Sequence, residues 1–176
     1  PYLYLDRYQS EDKAAEPLAI AGYLPVDMVR SFDPYKSEKE DAEPLTDEQK
    51  SHVIGIQANL WTEYISTYDH LEYMLYPRMD AVSEVQWCQP ENKDWERFTK
   101  AIPHITDIYD IRGYNYAKHI FDLTAKLTSD PQNKALTLSF SIVDDAPIRY
   151  TTDGSEPAME SLVYEGPITI TEPCTI

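Results

Sequence analysis

Hydrophobic positions recur with helical spacing through the middle of the chain. In "HLEYMLYPRMDAVSEVQW" apolar side chains return every three or four residues, which predicts a helix that Pro77 kinks. The stretch "DWERFTKAIPHITDIYDIRG" has the same spacing, and Arg112-Gly113 predicts a cationic last turn with a left-handed cap. These stripes predict helices that face a core, and they imply no cofactor.

Strand-like patterns precede these helices. Residues 2–8 alternate apolar and polar side chains, as in the tail of a strand, and Val53–Leu60 is predicted to be a buried strand. Between them, residues 9–45 carry four prolines and little periodicity, which predicts a long irregular excursion. Thr46 should cap a short helix that begins at Asp47.

The pattern changes to period two after the second helix. "ALTLSFSIV", "PIRYTT" and "PITI" are typical of short strands, and "DGSEP" is a turn cluster. This change predicts a domain boundary near residues 128–134, with one domain over 1–128 and a second over 135–176. Residues 135–176 are fewer than half of the ~100 residues of a β-sandwich, so the second domain is expected to be incomplete.

Composition limits the kinds of partner. The chain carries 15 basic and 31 acidic residues, a net charge of −16, which disfavours binding to nucleic acid or to anionic lipid but leaves a neutral sugar open. No apolar run approaches the ~20 residues that span a bilayer. The four histidines show no paired metal spacing, and two distant cysteines indicate neither a disulfide framework nor a metal site. We therefore expect no metal and no cofactor.

The first residues do not look like a natural start. The chain opens on the strand-like "PYLYLDRYQ", without Met or a basic and apolar leader, so we expect a piece of a longer protein.

Candidate site residues follow the two predicted strands. Tyr4 and Asp6 leave the end of the first strand, and Trp61 and Glu63 leave the second in "QANLWTEYI". In a (β/α) barrel, both sets would face one mouth. An indole packs on a sugar ring, a carboxylate accepts hydrogen bonds from vicinal hydroxyls, and a phenol donates to a carbonyl. Spacing alone favours a plainer interpretation, with a core indole and solvated acids.

The literal motifs add a resemblance. "GIQANLWTEYI", "HLEYMLYPRMDAVSEVQW" and "YLYLDRYQ" resemble the family 20 glycoside hydrolases, the β-N-acetylhexosaminidases, from about Tyr2 to Phe121. "IRYTTDGSEPAMESLVYEGPITI" resembles the small immunoglobulin-like β modules that follow such barrels. The fold class this implies is α/β, the last strands and helices of a (β/α)₈ barrel, followed by a partial all-β immunoglobulin-like module.

The resemblance also implies a mechanism. Members of this family cleave terminal N-acetylglucosamine or N-acetylgalactosamine with retention, using the substrate's own acetamido oxygen as nucleophile. By motif, Tyr4 would donate to the acetamido carbonyl and Trp61 would wall the pocket. Glu63 would accept from the C4 and C6 hydroxyls, and Asp6 would lie near the outer hydroxyls.

One family motif is missing from this sequence. The family's acid pair lies in His-x-Gly-Gly-Asp-Glu, and here the adjacent Asp47-Glu48 lacks the glycines and is predicted to cap a helix. Loss of a general acid costs ~10²–10⁴ in rate, so the chain by itself is expected to supply only the sugar-gripping side of a site. The resemblance favours a periplasmic, cell-surface or secreted protein, but no residue of this chain gives a localisation.

Two other functions remain open. One is a non-catalytic carbohydrate-binding or scaffold protein whose β module is the functional part, with Tyr150 and Tyr164 as its aromatic residues. The other is a module that serves dimerisation. Strand edges left uncovered also predict that the chain can self-associate.

Overall fold

The computed structural model describes residues 2–37, 39, 41–130, 135–144 and 146–176. The chain forms two compact units, Pro1–Ile120 and Phe121–Ile176. The division falls earlier than the predicted range of 128–134. The reason is that Thr124–Asp130, most of which falls within the predicted first domain of residues 1–128, pairs along its whole length with Ala135–Ser141.

The first unit is mainly helical. Its strands are β1 (Arg7–Tyr8) and β2 (Ile20–Tyr23), and its helices are α1 (Val26–Ser31), α2 (Asp47–Ser51), α3 (Tyr68–Leu75), α4 (Arg78–Trp87) and α5 (Trp95–Arg112).

Three helix predictions are confirmed. The first long helix breaks at Pro77 into α3 and α4, with a cis peptide bond between Tyr76 and Pro77. α5 ends at Arg112, and Gly113 follows with φ 69° in the left-handed region. α2 begins with a capping box, in which the Thr46 hydroxyl accepts from the Gln49 amide and the Gln49 side chain accepts from the Thr46 amide.

The buried strand predicted for Val53–Leu60 is wrong. This segment forms no strand, and Ile54 is fully exposed. Only Asn59 pairs, in an isolated parallel bridge with Tyr4. A central strand of a parallel sheet is covered on both faces, and among the described residues nothing covers Ile54.

The predicted irregular excursion over residues 9–45 is also wrong in part, because it contains β2 and α1. β2 pairs parallel with β1, with Arg7 opposite Ile20. Pro25 stands at the N-cap of α1, where a proline does not interrupt the helix. Pro25 thus lies at the start of α1, and the proline-rich pattern concealed both β2 and α1. Likewise, only Arg7–Tyr8 of residues 2–8 forms a strand.

α1 packs against α4 in the first unit. Val29 on α1 and Val82 on α4 are buried in this core, and Arg30 forms an ion pair with Glu84 that joins the two helices. α4 therefore has one side fixed by apolar burial and by a charged bridge.

Arg78, the first residue of α4, is fully buried and binds backbone carbonyls. Its guanidinium donates to the carbonyl oxygens of Arg7 (3.0 Å) and Leu24 (3.1 Å), and also to those of Leu5 and Met74. Burial lowers the pKa of Arg78 to about 9, which still leaves it charged at neutral pH. One cation thus ties β1, and the residues Leu5 and Leu24 beside the two strands, to the last turn of α3.

The chain beyond α5 turns back onto α3. The Asn115 amide donates to the Glu72 carboxylate (2.8 Å), and its side chain donates to the Asp69 carbonyl (2.8 Å). The Ala117 amide donates to the Tyr76 carbonyl at 3.0 Å. These bonds fasten residues 115–117 to the helix before the break.

The second unit is built from short strands: β3 (Thr124–Asp130), β4 (Ala135–Ser141), β5 (Arg149–Tyr150), β6 (Leu162–Val163) and β7 (Ile168–Ile170). β3, β4 and β7 form an antiparallel sheet in that order, and β5 pairs antiparallel with β6. The strand predictions within "ALTLSFSIV", "PIRYTT" and "PITI" are confirmed. An immunoglobulin-like arrangement stays a prediction.

Candidate functional site

An open cleft of about 360 Å³ lies in the first unit. Its lining contains all four of the predicted site residues together with two others: Tyr4, Asp6, Arg7, Ile20, Trp61 and Glu63.

A parallel bridge brings the two sets of predicted residues together. The Leu5 amide donates to the Asn59 carbonyl (2.7 Å), and the Asn59 amide donates to the Leu3 carbonyl (2.8 Å). Tyr4 and Asn59 therefore stand side by side with the chain running in the same direction. Two residues further along each segment come Asp6 and Trp61, which places them at the same end of the bridge.

Asp6 is a buried acid in the cleft wall. The residue is only 6% exposed, and its Oδ1 has no hydrogen-bond partner among the described residues. A buried oxygen without a donor costs about 1–3 kcal/mol, so the atom is suited to a donor from a bound molecule. Burial lowers the pKa of Arg78, and the negative charge of Asp6 acts in the opposite direction with a smaller effect.

The remaining predicted residues expose their side chains. Trp61 is 57% exposed and Tyr4 is 41% exposed, and Glu63 is exposed as well. The plainer interpretation of Trp61 as a core indole is therefore wrong, and an aromatic face is available to a ligand. Together the cleft offers an apolar face, a phenol and two carboxylates.

Sequence reasoning missed Arg7 and Ile20 as lining residues. Ile20 belongs to β2, which the proline-rich segment concealed, and it reaches the cleft because it pairs with Arg7. Arg7 directly follows Asp6 in "YLDRY", and its Nη1 donates to the Ala21 carbonyl at 2.8 Å. The adjacency to Asp6 was the one available signal for Arg7.

The described residues form neither a metal site nor a membrane span. No group of three His, Cys, Asp or Glu side chains is placed to hold a metal ion. Nor does the described part of the chain contain a helix that is long and apolar enough to cross a membrane.

Comparison with known proteins identifies the family. The family described as "Glycosyl hydrolase family 20, catalytic domain" matches residues 1–90, half of the chain. The chain belongs to glycosyl hydrolase family 20. A second family, "Fn3 associated", matches residues 136–176, which agrees with a separate C-terminal module.

Curated relatives of this family 20 chain are hexosaminidases. A beta-hexosaminidase of Porphyromonas gingivalis is 33% identical over 174 residues, which is 94% of this chain and 21% of the relative. A beta-N-acetylhexosaminidase of Cellulomonas fimi is 36% identical over 64 residues, covering 36% of this chain and 13% of the relative. The chain thus spans about a fifth or less of the length of these relatives.

Solved structures of family 20 enzymes are similar as well. The N-acetyl-beta-hexosaminidase of Streptomyces plicatus, in complex with Thio-NAglucal, has a TM-score of 0.55 and 27% identity over 66% of this chain and 22% of its own. An exo beta-N-acetylglucosaminidase of Vibrio harveyi, in complex with N-acetylglucosamine, has a TM-score of 0.52 and 26% identity over 66% of this chain and 18% of its own. These are (β/α)₈-barrel enzymes, which supports the predicted α/β class.

Proposed function

We propose that this chain forms the sugar-gripping side of the active site of a retaining β-N-acetylhexosaminidase that removes terminal N-acetylglucosamine or N-acetylgalactosamine from glycans. The observation that carries the proposal is the cleft, which gathers Tyr4, Asp6, Trp61 and Glu63 and leaves a buried oxygen of Asp6 without a donor. Membership of family 20 supports the reaction class.

Each side chain has a role suited to an N-acetylated sugar. The exposed indole of Trp61 offers an apolar wall to the C–H face of the ring and to the acetamido methyl. Asp6 and Glu63 accept hydrogen bonds from sugar hydroxyls, and the Asp6 oxygen gains the donor that it lacks. Tyr4 donates its hydroxyl to the acetamido carbonyl, which orients that oxygen for attack at C1.

Tyr4 therefore contributes to catalysis through position. As the acetamido oxygen bonds to C1, positive charge develops on the acetamido group, and a fixed phenol holds that group in the reactive geometry. The leaving oxygen still needs a proton donor. Neither exposed Glu63 nor buried Asp6 is assigned that role, because both are proposed to accept hydrogen bonds from hydroxyls. The chain by itself is accordingly proposed to be inactive.

The test uses the complete gene product with an aryl β-N-acetylglucosaminide. Wild-type protein should release the aryl group, and Tyr4→Phe should lower kcat by about 10²-fold, as misplacement of a reacting group does. Tyr8→Phe is the matched control, since Tyr8 loses the same hydroxyl outside the cleft. Equal effects of the two variants would remove Tyr4 from the mechanism.

A second arm tests the claim about the chain itself. Residues 1–176 alone should give no turnover of the same substrate. Turnover that Glu63→Gln abolishes would mean that the acid lies on this chain and would overturn the proposed division of labour.

The carbohydrate-binding alternative, with the β module as the functional part, has weaker support. Tyr164 packs edge-on against Phe140 with ring centroids 5.2 Å apart, and its hydroxyl accepts from the Phe140 amide. An aromatic residue engaged in this way serves the internal packing of the second unit. We therefore retain the cleft as the binding element.

A further inference from the structure

A single buried guanidinium binds the backbone on both sides of Asp6. Arg78 is fully buried at the start of α4, and it donates to the carbonyl oxygens of Leu5 and Arg7, the residues that precede and follow Asp6. The carbonyl of Asp6 itself accepts from the Ile20 amide at 3.0 Å. The carbonyl groups of residues 5, 6 and 7 therefore all have donors, which fixes the backbone that carries the Asp6 side chain.

The guanidinium of Arg78 has a fixed position of its own. It also donates to the carbonyl oxygens of Leu24, just after β2, and of Met74 in α3. Because a guanidinium presents its donors in a rigid planar fork, these bonds determine where the carbonyls of Leu5 and Arg7 can lie. The place of Asp6 in the cleft wall thus depends on a residue that does not line the cleft.

The Asp6 side chain lacks a comparable support. Its Oδ1 is buried and has no hydrogen-bond partner among the described residues. Asp80 on α4 differs, because the Tyr109 hydroxyl donates to its Oδ2 and so orients that carboxylate. The direction of the Asp6 carboxylate is set instead by the backbone from which the side chain extends.

Charge links the two residues as well. The negative charges of Glu16 and Asp6 both act on Arg78, and the attraction is mutual. A buried carboxylate loses its hydration, and a nearby cation offsets part of that cost. Removal of the guanidinium would deprive Asp6 both of this cation and of the donor to the adjoining backbone.

We propose that Arg78 is a positioning residue of the cleft, which directs the Asp6 carboxylate at a bound sugar by holding the backbone on both sides of it. The inference rests on the proposed function, because that function gives Asp6 a sugar hydroxyl from which to accept a hydrogen bond. It goes further by assigning a part in ligand binding to a residue that touches no ligand.

The test is a double-mutant cycle on the complete gene product, with an aryl β-N-acetylglucosaminide as substrate. Asp6→Ala should raise KM by about 10- to 100-fold, as loss of a hydrogen bond to a charged group does. Arg78→Lys keeps a positive charge but loses the fork, and it should raise KM by about 10-fold through misplacement of Asp6. The double variant should have the KM of Asp6→Ala, because Arg78 acts through Asp6.

The division between KM and kcat separates positioning from a loss of folded protein. A variant that only destabilises the fold lowers the apparent kcat, since fewer sites are active, and leaves KM unchanged. Arg30→Lys is the matched control, because Arg30 is also buried, pairs with Glu84 of α4 and lies outside the cleft lining. Its KM should equal that of wild type.

A measurement on wild-type protein covers the case in which Arg78→Lys does not fold. With isotope-labelled arginine side chains, saturation with N-acetylglucosamine should shift the guanidinium resonance of Arg78 in the NMR spectrum. The reason is that a new hydrogen bond to Asp6 changes the charge that Arg78 faces. The resonance of Arg30 should stay in place, and an unchanged Arg78 resonance would overturn the inference.

The outcomes are distinct. If Arg78→Lys leaves KM unchanged, or if its effect on KM multiplies with that of Asp6→Ala, Arg78 has a purely structural role and the inference fails, while hydrolysis by wild type still supports the proposed function. If wild type hydrolyses nothing, calorimetric Kd values for N-acetylglucosamine complete the same cycle. A Kd that Arg78→Lys raises in wild type but not in Asp6→Ala would then sustain the inference although the proposed hydrolysis fails. Absence of binding by wild type would refute both.

Discussion

The two units of this chain maintain their structure by different means. Fourteen of the fifteen buried hydrophobic residues in the described part of the chain belong to the first unit, and Ala135 alone belongs to the second. The second unit has instead a complete seven-residue ladder between β3 and β4, and it exposes apolar side chains such as Leu127 and Leu162. Packed side chains fix the first unit, and backbone hydrogen bonds fix the second. The cleft lies in the unit whose side chains are immobilised by packing.

The largest expected effect concerns the buried arginine. Arg78→Met should reduce the free energy of unfolding by about 3–5 kcal/mol, because several buried carbonyl oxygens lose their donor at once. The matched change in the second unit, Arg149→Met, removes a bond from Nη1 to the Ser161 carbonyl and should cost about 1 kcal/mol or less. Urea denaturation of both variants measures the difference. Equal losses would contradict the contrast between the units.

Truncation of apolar side chains should give the next largest difference. Ile102 is fully buried, so Ile102→Ala should cost about 2–4 kcal/mol through lost burial and the cavity left behind. Leu127 on β3 is 58% exposed, and Leu127→Ala should change stability by less than about 0.5 kcal/mol. Thermal unfolding followed by circular dichroism compares the two. A loss at Leu127 as large as that at Ile102 would show that the second unit has a core of its own.

A smaller effect is expected within the second unit. Tyr164→Phe removes the hydroxyl that accepts from the Phe140 amide at 3.1 Å but keeps the ring contact. The expected cost is about 1 kcal/mol, since one hydrogen bond is lost. Amide hydrogen exchange at Phe140 measures it directly, and protection that remains unchanged would argue against this bond.

The smallest effect is a change in pH dependence. Burial raises the pKa of Asp80 above its ordinary value, although the hydroxyl of Tyr109, which donates to it, acts in the opposite direction. A carboxyl with a raised pKa in the folded state stabilises the fold below its ordinary pKa, and this contribution is lost as pH rises through the raised value. Relative to Asp80→Asn, wild-type stability should therefore fall as pH rises from about 3.8, the ordinary value, through this window. Parallel curves of stability against pH for wild type and Asp80→Asn would contradict a raised pKa of Asp80.

The sequence predicted the long helices and the four candidate residues of the cleft well, because their signals are local. Helical spacing, Pro77 and the Arg112-Gly113 ending determine α3, α4 and α5 without reference to distant contacts. Tyr4, Asp6, Trp61 and Glu63 were identified by short motifs, and the structure gathers them in one cleft. Their roles remain predictions.

Non-local features were not predictable in the same way. β2 is defined by pairing with β1 and carries no long alternating pattern. The sequence therefore did not predict Ile20 as a residue that lines the cleft. β3 alternates weakly, and only its pairing with β4 assigns it to the second unit. Ile54 belongs to the segment that was predicted to be a buried strand, yet burial depends on neighbours that no local pattern reports.

The return of residues 115–117 to α3 affects where the chain can be cut. A version of the first unit shortened at Gly113 would keep α1 to α5, yet it would lose the donors to Glu72, Asp69 and Tyr76. A version that ends after residue 117 retains them. Limited proteolysis should likewise spare this segment while α3 stays folded, even though it lies outside any helix.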